Sequence, residues 1–209
     1  MENETKSIIR KIAIENNACD DAIKWLDANK EHSDKWLWEN CTRPGWMVWF
    51  LRHSIDLTKE TWAQIAVACA ESVIDVYENN YPDDSLPRKA IKAAKAWLAN
   101  PTSDAAKASD AAAVLAVHAA SYDAHDAYAA HVAYAAYAAS YAGYVPADDA
   151  AYAAADAAAY AATYGSAYVA YGSAYADAAF FSTRGTNNAI LADQIRELVP
   201  WAVVVRLEK

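Results

Sequence analysis

Residues 127–144 read AYAAHVAYAAYAASYAGY, and residues 160–177 read YAATYGSAYVAYGSAYAD. Both belong to one run, 104–181, which is nearly half alanine and holds twelve of the chain's fourteen tyrosines. Alanine is the best helix former and leaves no bulk between neighbours. The run therefore predicts long, closely packed helices in which tyrosine supplies nearly all the side-chain volume. Gly143 and Pro146 divide it in two. The first part would span ~60 Å as one helix at about 1.5 Å per residue, so a bend near Ser121 to Asp126 is expected. Tyr134, Tyr137, Tyr141 and Tyr144 follow a heptad-like +3, +4, +3 spacing. Tyr160, Tyr164, Tyr168, Tyr171 and Tyr175 fall within ~80° of one another on a helix. Such stripes most simply form core, with their hydroxyls at the rim.

Charge gives the run a second character. Between Ala108 and Thr183 there is no Lys or Arg, but there are seven aspartates, which carry most of the formal net charge of −9. Any exposed face here is acidic. That disfavours direct nucleic-acid binding and suits a protein partner with a basic surface. Tyr137, Tyr141, Tyr168, Asp148 and Asp149 are the residues expected to meet such a partner, because tyrosine is favoured at interfaces and acidic groups steer association.

Outward from the run, the first hundred residues hold the tryptophans. Ile8, Ile9 and Ile12 mark a short amphipathic helix with Ile14 off its face. Asn16 and Asn17 are expected to end it and cap the next, where Cys19, Ala22, Ile23 and Leu26 fall at helical spacing beside Trp25. Ser33 or Asp34 should cap a third helix with Trp36, Leu37 and Trp38. Arg43-Pro44-Gly45 separates it from a fourth carrying Trp46, Met47, Trp49, Phe50 and Leu51. Thr58 should start a helix to about Glu78 that buries Trp62, Ile65, Ala66, Cys69, Val73, Val76 and Tyr77. Pro87 suits the first turn of the next, with Ile91, Ala94, Trp97 and Leu98 inward and Arg88, Lys92 and Lys95 on another face. Asn187 to Lys209 predicts a last helix with Ile190, Leu191, Ile195 and Leu198, restarted or kinked at Pro200. The expected architecture is all-α: a single domain, 1–209, in which a Trp-rich half (1–100) and a C-terminal helix (187–209) pack against two or more long Ala/Tyr-rich helices (103–182).

Chemistry leaves little trace. His118 and His125 are seven residues apart where a helical zinc pair needs i, i+4, and His131 points away, so no metal site is expected. No nucleophile elbow, HExxH, Walker loop or dinucleotide glycine pattern occurs. Asp20-Asp21, Asp83-Asp84 and Asp148-Asp149 sit at expected helix starts or turns, where capping accounts for them. A non-enzymatic chain with no cofactor is the expectation. The cations Arg43, Arg52, His53, Arg88, Lys89, Lys92 and Lys95 could balance the aspartates. Alternatively, Arg43, Trp46, Arg88 and Lys92 could hold a nucleotide-like anion between charge and aromatic plane. The three cysteines, Cys19, Cys41 and Cys69, are widely spaced without a CxxC, which reads as reduced, partly buried thiols. With no apolar run of spanning length and no apolar signal core, a cytoplasmic protein without a membrane partner is expected.

Cys19-x-x-Ala22-x-x-Trp25-Leu26, Cys41-x-Arg43-Pro44-Gly45-Trp46, Asp56-Leu57, the segment Leu86-Pro87-Arg88-Lys89-Ala90-Ile91 with Ala93-Ala94, Ala96 and Trp97-Leu98, and Gln194-x-Arg196-Glu197-x-x-Pro200-Trp201 together resemble the immunity five-like family of bacterial and phage immunity proteins. The resemblance covers roughly residues 17–100 and 188–205. It implies an all-helical, non-enzymatic cytoplasmic protein that neutralises a toxin or effector by direct binding. The Ala/Tyr run is longer and richer in tyrosine than the family's pattern. A protein that sequesters a nucleotide-derived immune signal is the other function this half allows.

Overall fold

A computed structural model describes residues 7–109, 111–112, 151–154 and 188–204. Of these 78% are helical and none lies in a strand, so the fold is all-α. Six helices lead: α1 (Ile8–Glu15), α2 (Asp20–Ala28), α3 (Asp34–Asn40), α4 (Pro44–Ser54), α5 (Lys59–Asn80) and α6 (Leu86–Ala99). Helical stretches 103–109, 151–154 and 188–198 and the short helix Trp201–Val204 complete the described part.

The caps follow local chemistry. Ser7, Ser33 and Thr58 each accept a hydrogen bond from the backbone N–H three residues on, which satisfies a donor left free at a helix start. Pro44 and Pro87 occupy first-turn positions, where the missing N–H costs nothing. Asp34 serves two helices at once. It lies in the first turn of α3, and its carboxylate accepts bonds from Ser7 Oγ and, at 2.7 Å, from the Ile8 N–H that opens α1.

α1 ends at Asn16 and Asn17 as expected, but neither residue caps α2. Asn17 adopts a left-handed conformation (φ 56°), Ala18 N–H bonds to Ala13 O at 2.8 Å and Asn17 N–H to Ile14 O at 3.3 Å. This pair of bonds closes a Schellman turn and uses Asn17 to stop a helix. The N-cap of α2 is Cys19, which makes no side-chain cap bond. Cys19 is correspondingly exposed, although its spacing places it on the buried face: an N-cap residue precedes the helical phase that the spacing assumes.

α5 is central. Its buried residues, among them Trp62, Ile65, Val67, Cys69, Val73, Ile74 and Tyr77, surround the axis and leave a narrow exposed strip through Glu60, Gln64, Glu71 and Asp75. A helix apolar on nearly every side must be covered on nearly every side. α6 supplies the broadest cover, through Ala90, Ile91, Ala94 and Trp97. Ala151, Ala154 and Ala192 are fully buried in the same core, beside Leu191, Ile195 and Val199. Close approach at alanine is what the composition implies, and the described parts of the Ala-rich run show it. A smaller cluster, Ala13, Leu26 and Leu37, joins α1, α2 and α3. Ile14 and Ile190 are about half exposed. The chain restarts at Pro200 with Trp201–Val204, which packs against α3.

Charge sets the register of the α5–α6 hairpin. Arg88 and Lys95 on α6 meet Glu78, Asp75 and Glu71 on α5 in antiparallel order. Arg88 forks onto Glu78 through two 2.6 Å bonds and reaches Asp75 at 2.9 Å. Hydrogen bonding from Arg88 is the main reason the Glu78 carboxyl titrates below its ordinary value, and the charge of Lys92 adds to it. A carboxyl whose folded pKa is lowered stabilises the fold above its unfolded pKa, and that contribution is lost as the pH falls through the folded value. The stability difference between wild type and Glu78→Gln should therefore be present at neutral pH and vanish on acidification. Solvent keeps it to about 1 kcal/mol or less. Urea midpoints for both proteins across that pH range check it.

Candidate functional site

A cavity of about 580 Å³ opens among α1, α2, α3 and α4. It exists because rings and small residues share its wall. Trp46, Trp49 and Phe50 lie at i, i+3 and i+4 on α4 and project to one side. Trp25 on α2 and Trp38 on α3 add two more indoles, and Tyr152 closes part of the boundary. Ala13, Ala18, Ala22 and Gly45 face the same space without filling it. Trp25 and Trp46 stand with centroids 6.2 Å apart and planes tilted by 55°, and Trp38 and Phe50 pack similarly at 6.1 Å and 51°. Trp38 is buried, whereas Trp25, Trp46 and Trp49 are half-buried, so three indoles keep surface free for another molecule.

Gly45 borders open space in the wall. A Cβ built there meets nothing within 4 Å, and no glycine among the described residues has a positive φ. Gly45→Ala should accordingly raise stability by about 0.5–1 kcal/mol, because alanine loses less chain entropy in a helix. An unchanged or lowered thermal midpoint would contradict this reading of the void.

At the N-cap of α4, Arg43 places its guanidinium 5.2 Å from the centre of the Trp46 ring. The Cys41 thiol bonds to the Arg43 carbonyl at 3.7 Å, while Arg196 donates to the Cys41 carbonyl, so the segment before α4 is pinned at two points. The structure thus joins two of the residues singled out from the sequence, Arg43 and Trp46. Arg88 belongs to the α5–α6 ion pairs instead, Lys92 acts on Glu78 through its charge, and the contacts of Arg88 share no residue with those of Arg43. Arg88 balances carboxylates of α5. Tyr137, Tyr141, Tyr168, Asp148 and Asp149 lie outside the described residues. Trp25, Trp38 and Trp49 are cavity residues that sequence reading places in the core, since helical spacing cannot tell a packed ring from one that borders a void.

Two thiols face the cavity, Cys19 exposed and Cys41 buried. Burial raises the pKa of Cys41, partly offset by the Arg43 carbonyl contact and by the charges of Arg196 and Arg43. Cys69, fully buried in α5, is pushed up to about 12. Reaction requires thiolate, and at pH 8 a shift of this size lowers the Cys69 thiolate fraction by about three orders of magnitude. With Ellman's reagent, Cys19 should react at once, and Cys41 and Cys69 should react only when denaturant unfolds the chain. Prompt release of more than one thiol equivalent from native protein would refute that assignment.

Among the described residues no group of three His, Cys, Asp or Glu side chains is arranged to hold a metal ion, and no helix is long and apolar enough to cross a membrane. No family model, curated protein or solved structure matches the chain.

Proposed function

We propose that this protein is a non-catalytic binding protein whose tryptophan-walled cavity takes up a small molecule with a flat, apolar part. The carrying observation is the cavity itself. At about 580 Å³ it falls within the size range of ligand pockets, and it is predominantly apolar with rings contributed by α2, α3 and α4. Among the described residues its ionisable wall groups are two thiols and one phenol, with no carboxylate or imidazole. That composition favours holding a molecule over transforming it. Binding would quench or shift tryptophan emission and raise the thermal midpoint. Gly45→Leu, which puts bulk into the void, should abolish both effects while the protein stays folded. If flat aromatic compounds change neither signal in the wild type, the cavity is not a ligand site.

A second reading rests on the sequence. Seven aspartates and a dense set of tyrosines occupy 108–183 without a single Lys or Arg, a composition suited to covering a basic protein surface. Under it the chain is an inhibitory immunity protein of the immunity five-like type that neutralises a toxin or effector in the cytoplasm, through Tyr137, Tyr141, Tyr168, Asp148 and Asp149. Alanine at Tyr137 or Tyr168 should then weaken capture of a basic toxin. Unchanged capture by folded variants would set this reading aside.

A further inference from the structure

We infer that the cavity's ligand is an aromatic phosphate, a nucleoside monophosphate or a molecule of the same plan, with its ring against Trp46 and its phosphate on Arg43. This rests on the cavity being a ligand site and adds the class of ligand.

Three of the other described arginines are held by carboxylates. Arg10 pairs with Asp27, Arg88 with Glu78 and Asp75, and Arg196 with Asp193. Arg43 has no carboxylate partner among the described residues, and its described neighbour is the face of an indole. What distinguishes Arg43 is its place, against the face of a ring that lines the cavity. A guanidinium over a ring keeps its N–H fork available, and that fork matches two phosphate oxygens.

Position supports the same reading. Arg43 immediately precedes the helix whose Trp46, Met47, Trp49 and Phe50 line the cavity, so a molecule seated on those rings presents its outer end to Arg43. The first turn of α4 contains no acidic residue, and its N-cap offers no side-chain bond, so nothing in that turn opposes an anion. The anchoring of Cys41 by Arg196 and of Arg43 by Cys41 holds this corner in place before the ligand arrives. The interior is apolar and suits a ring; Arg43, against the Trp46 ring that lines it, suits one anionic group. A nucleic-acid strand does not fit, because its further phosphates would meet a strongly acidic protein.

Calorimetric titration of the full chain with two matched pairs, adenosine against adenosine monophosphate and 2-naphthol against naphthyl phosphate, tests this directly. The phosphorylated member of at least one pair should bind about 10-fold or more tightly than its neutral partner at low salt. Arg43→Gln should erase that preference, whereas Trp46→Leu should weaken both members. Far-UV circular dichroism confirms that each variant is folded. Equal binding of both members, or a preference that survives Arg43→Gln, overturns the phosphate assignment and leaves the cavity as a site for a neutral ring. If no member of either pair binds, the aromatic-phosphate inference fails, and the Gly45→Leu comparison with other flat compounds then decides the cavity reading separately.

Discussion

Arg196→Ala should lower the stability of this protein by about 3–4 kcal/mol, read as a fall in the urea midpoint at constant slope. The side chain is mostly covered, with 17% of its surface exposed. Its Nε–H donates to Trp38 O at 3.0 Å, a second N–H donates to Cys41 O, and a third donates to Asp193 at 2.6 Å. Both carbonyls lie at the end of α3, where helix geometry leaves acceptors without partners and the dipole is negative. One planar cation therefore satisfies two acceptors and neutralises the helix end. A hydrogen bond to a charged group is worth about 1.5–3 kcal/mol, and truncation leaves both carbonyls inside a region that water reaches poorly. Set against the 5–15 kcal/mol typical of a domain, the loss is large. Lysine, a single point charge, can serve one carbonyl at a time, so Arg196→Lys should lose roughly half as much. Asp193→Asn, at an exposed partner, should change stability by less than about 0.5 kcal/mol. If Arg196→Ala is as mild as Asp193→Asn, the clamp on α3 carries no weight.

That clamp marks where sequence reading stops. Features decided within one helical turn were legible: the caps at Ser33 and Thr58, the first-turn proline at 87, and the buried stripe Trp62, Ile65, Ala66, Cys69, Val73 and Tyr77, whereas Pro44 and Gly45, read as the break before α4, form its first turn. Each depends on neighbours three or four positions away, which is the range over which periodicity carries information. Arg196 reaches back 158 and 155 residues to Trp38 and Cys41, and no local pattern encodes that distance. The partners of Arg88 lie within 13 residues, yet only the hairpin geometry of α5 and α6 shows that it is committed to Glu78 and Asp75. The same limit governs the site. Arg43 and Trp46 could be paired in advance because they are three residues apart. The void beside them could not, because it arises from small residues on α1, α2 and α4 meeting opposite large rings.

Tyr77 makes the second large prediction. Its ring is 1% exposed at the far end of α5, and its hydroxyl donates to Asp84 Oδ2 at 2.6 Å. The other oxygen of Asp84 accepts the Leu86 N–H at 2.8 Å, which is the first backbone donor of α6. Because the N-cap Ser85 makes no side-chain bond, Asp84 takes over the capping of α6 and ties it to α5 in the same group. Removing the ring creates a cavity in the main core, and Tyr77→Ala should cost about 3–5 kcal/mol. Tyr77→Phe keeps the packing and removes the hydroxyl, so its cost should be about 1–2 kcal/mol. Asp84→Ala should cost about 2–3 kcal/mol, since it deprives both the phenol and the helix start. The double variant Tyr77→Phe/Asp84→Ala should be less destabilised than the sum by about 1 kcal/mol or more, because the two residues share one bond. Urea denaturation of the four proteins closes the cycle. Strict additivity would mean that the Tyr77 hydroxyl contributes nothing through Asp84 and that Asp84 acts only as a cap.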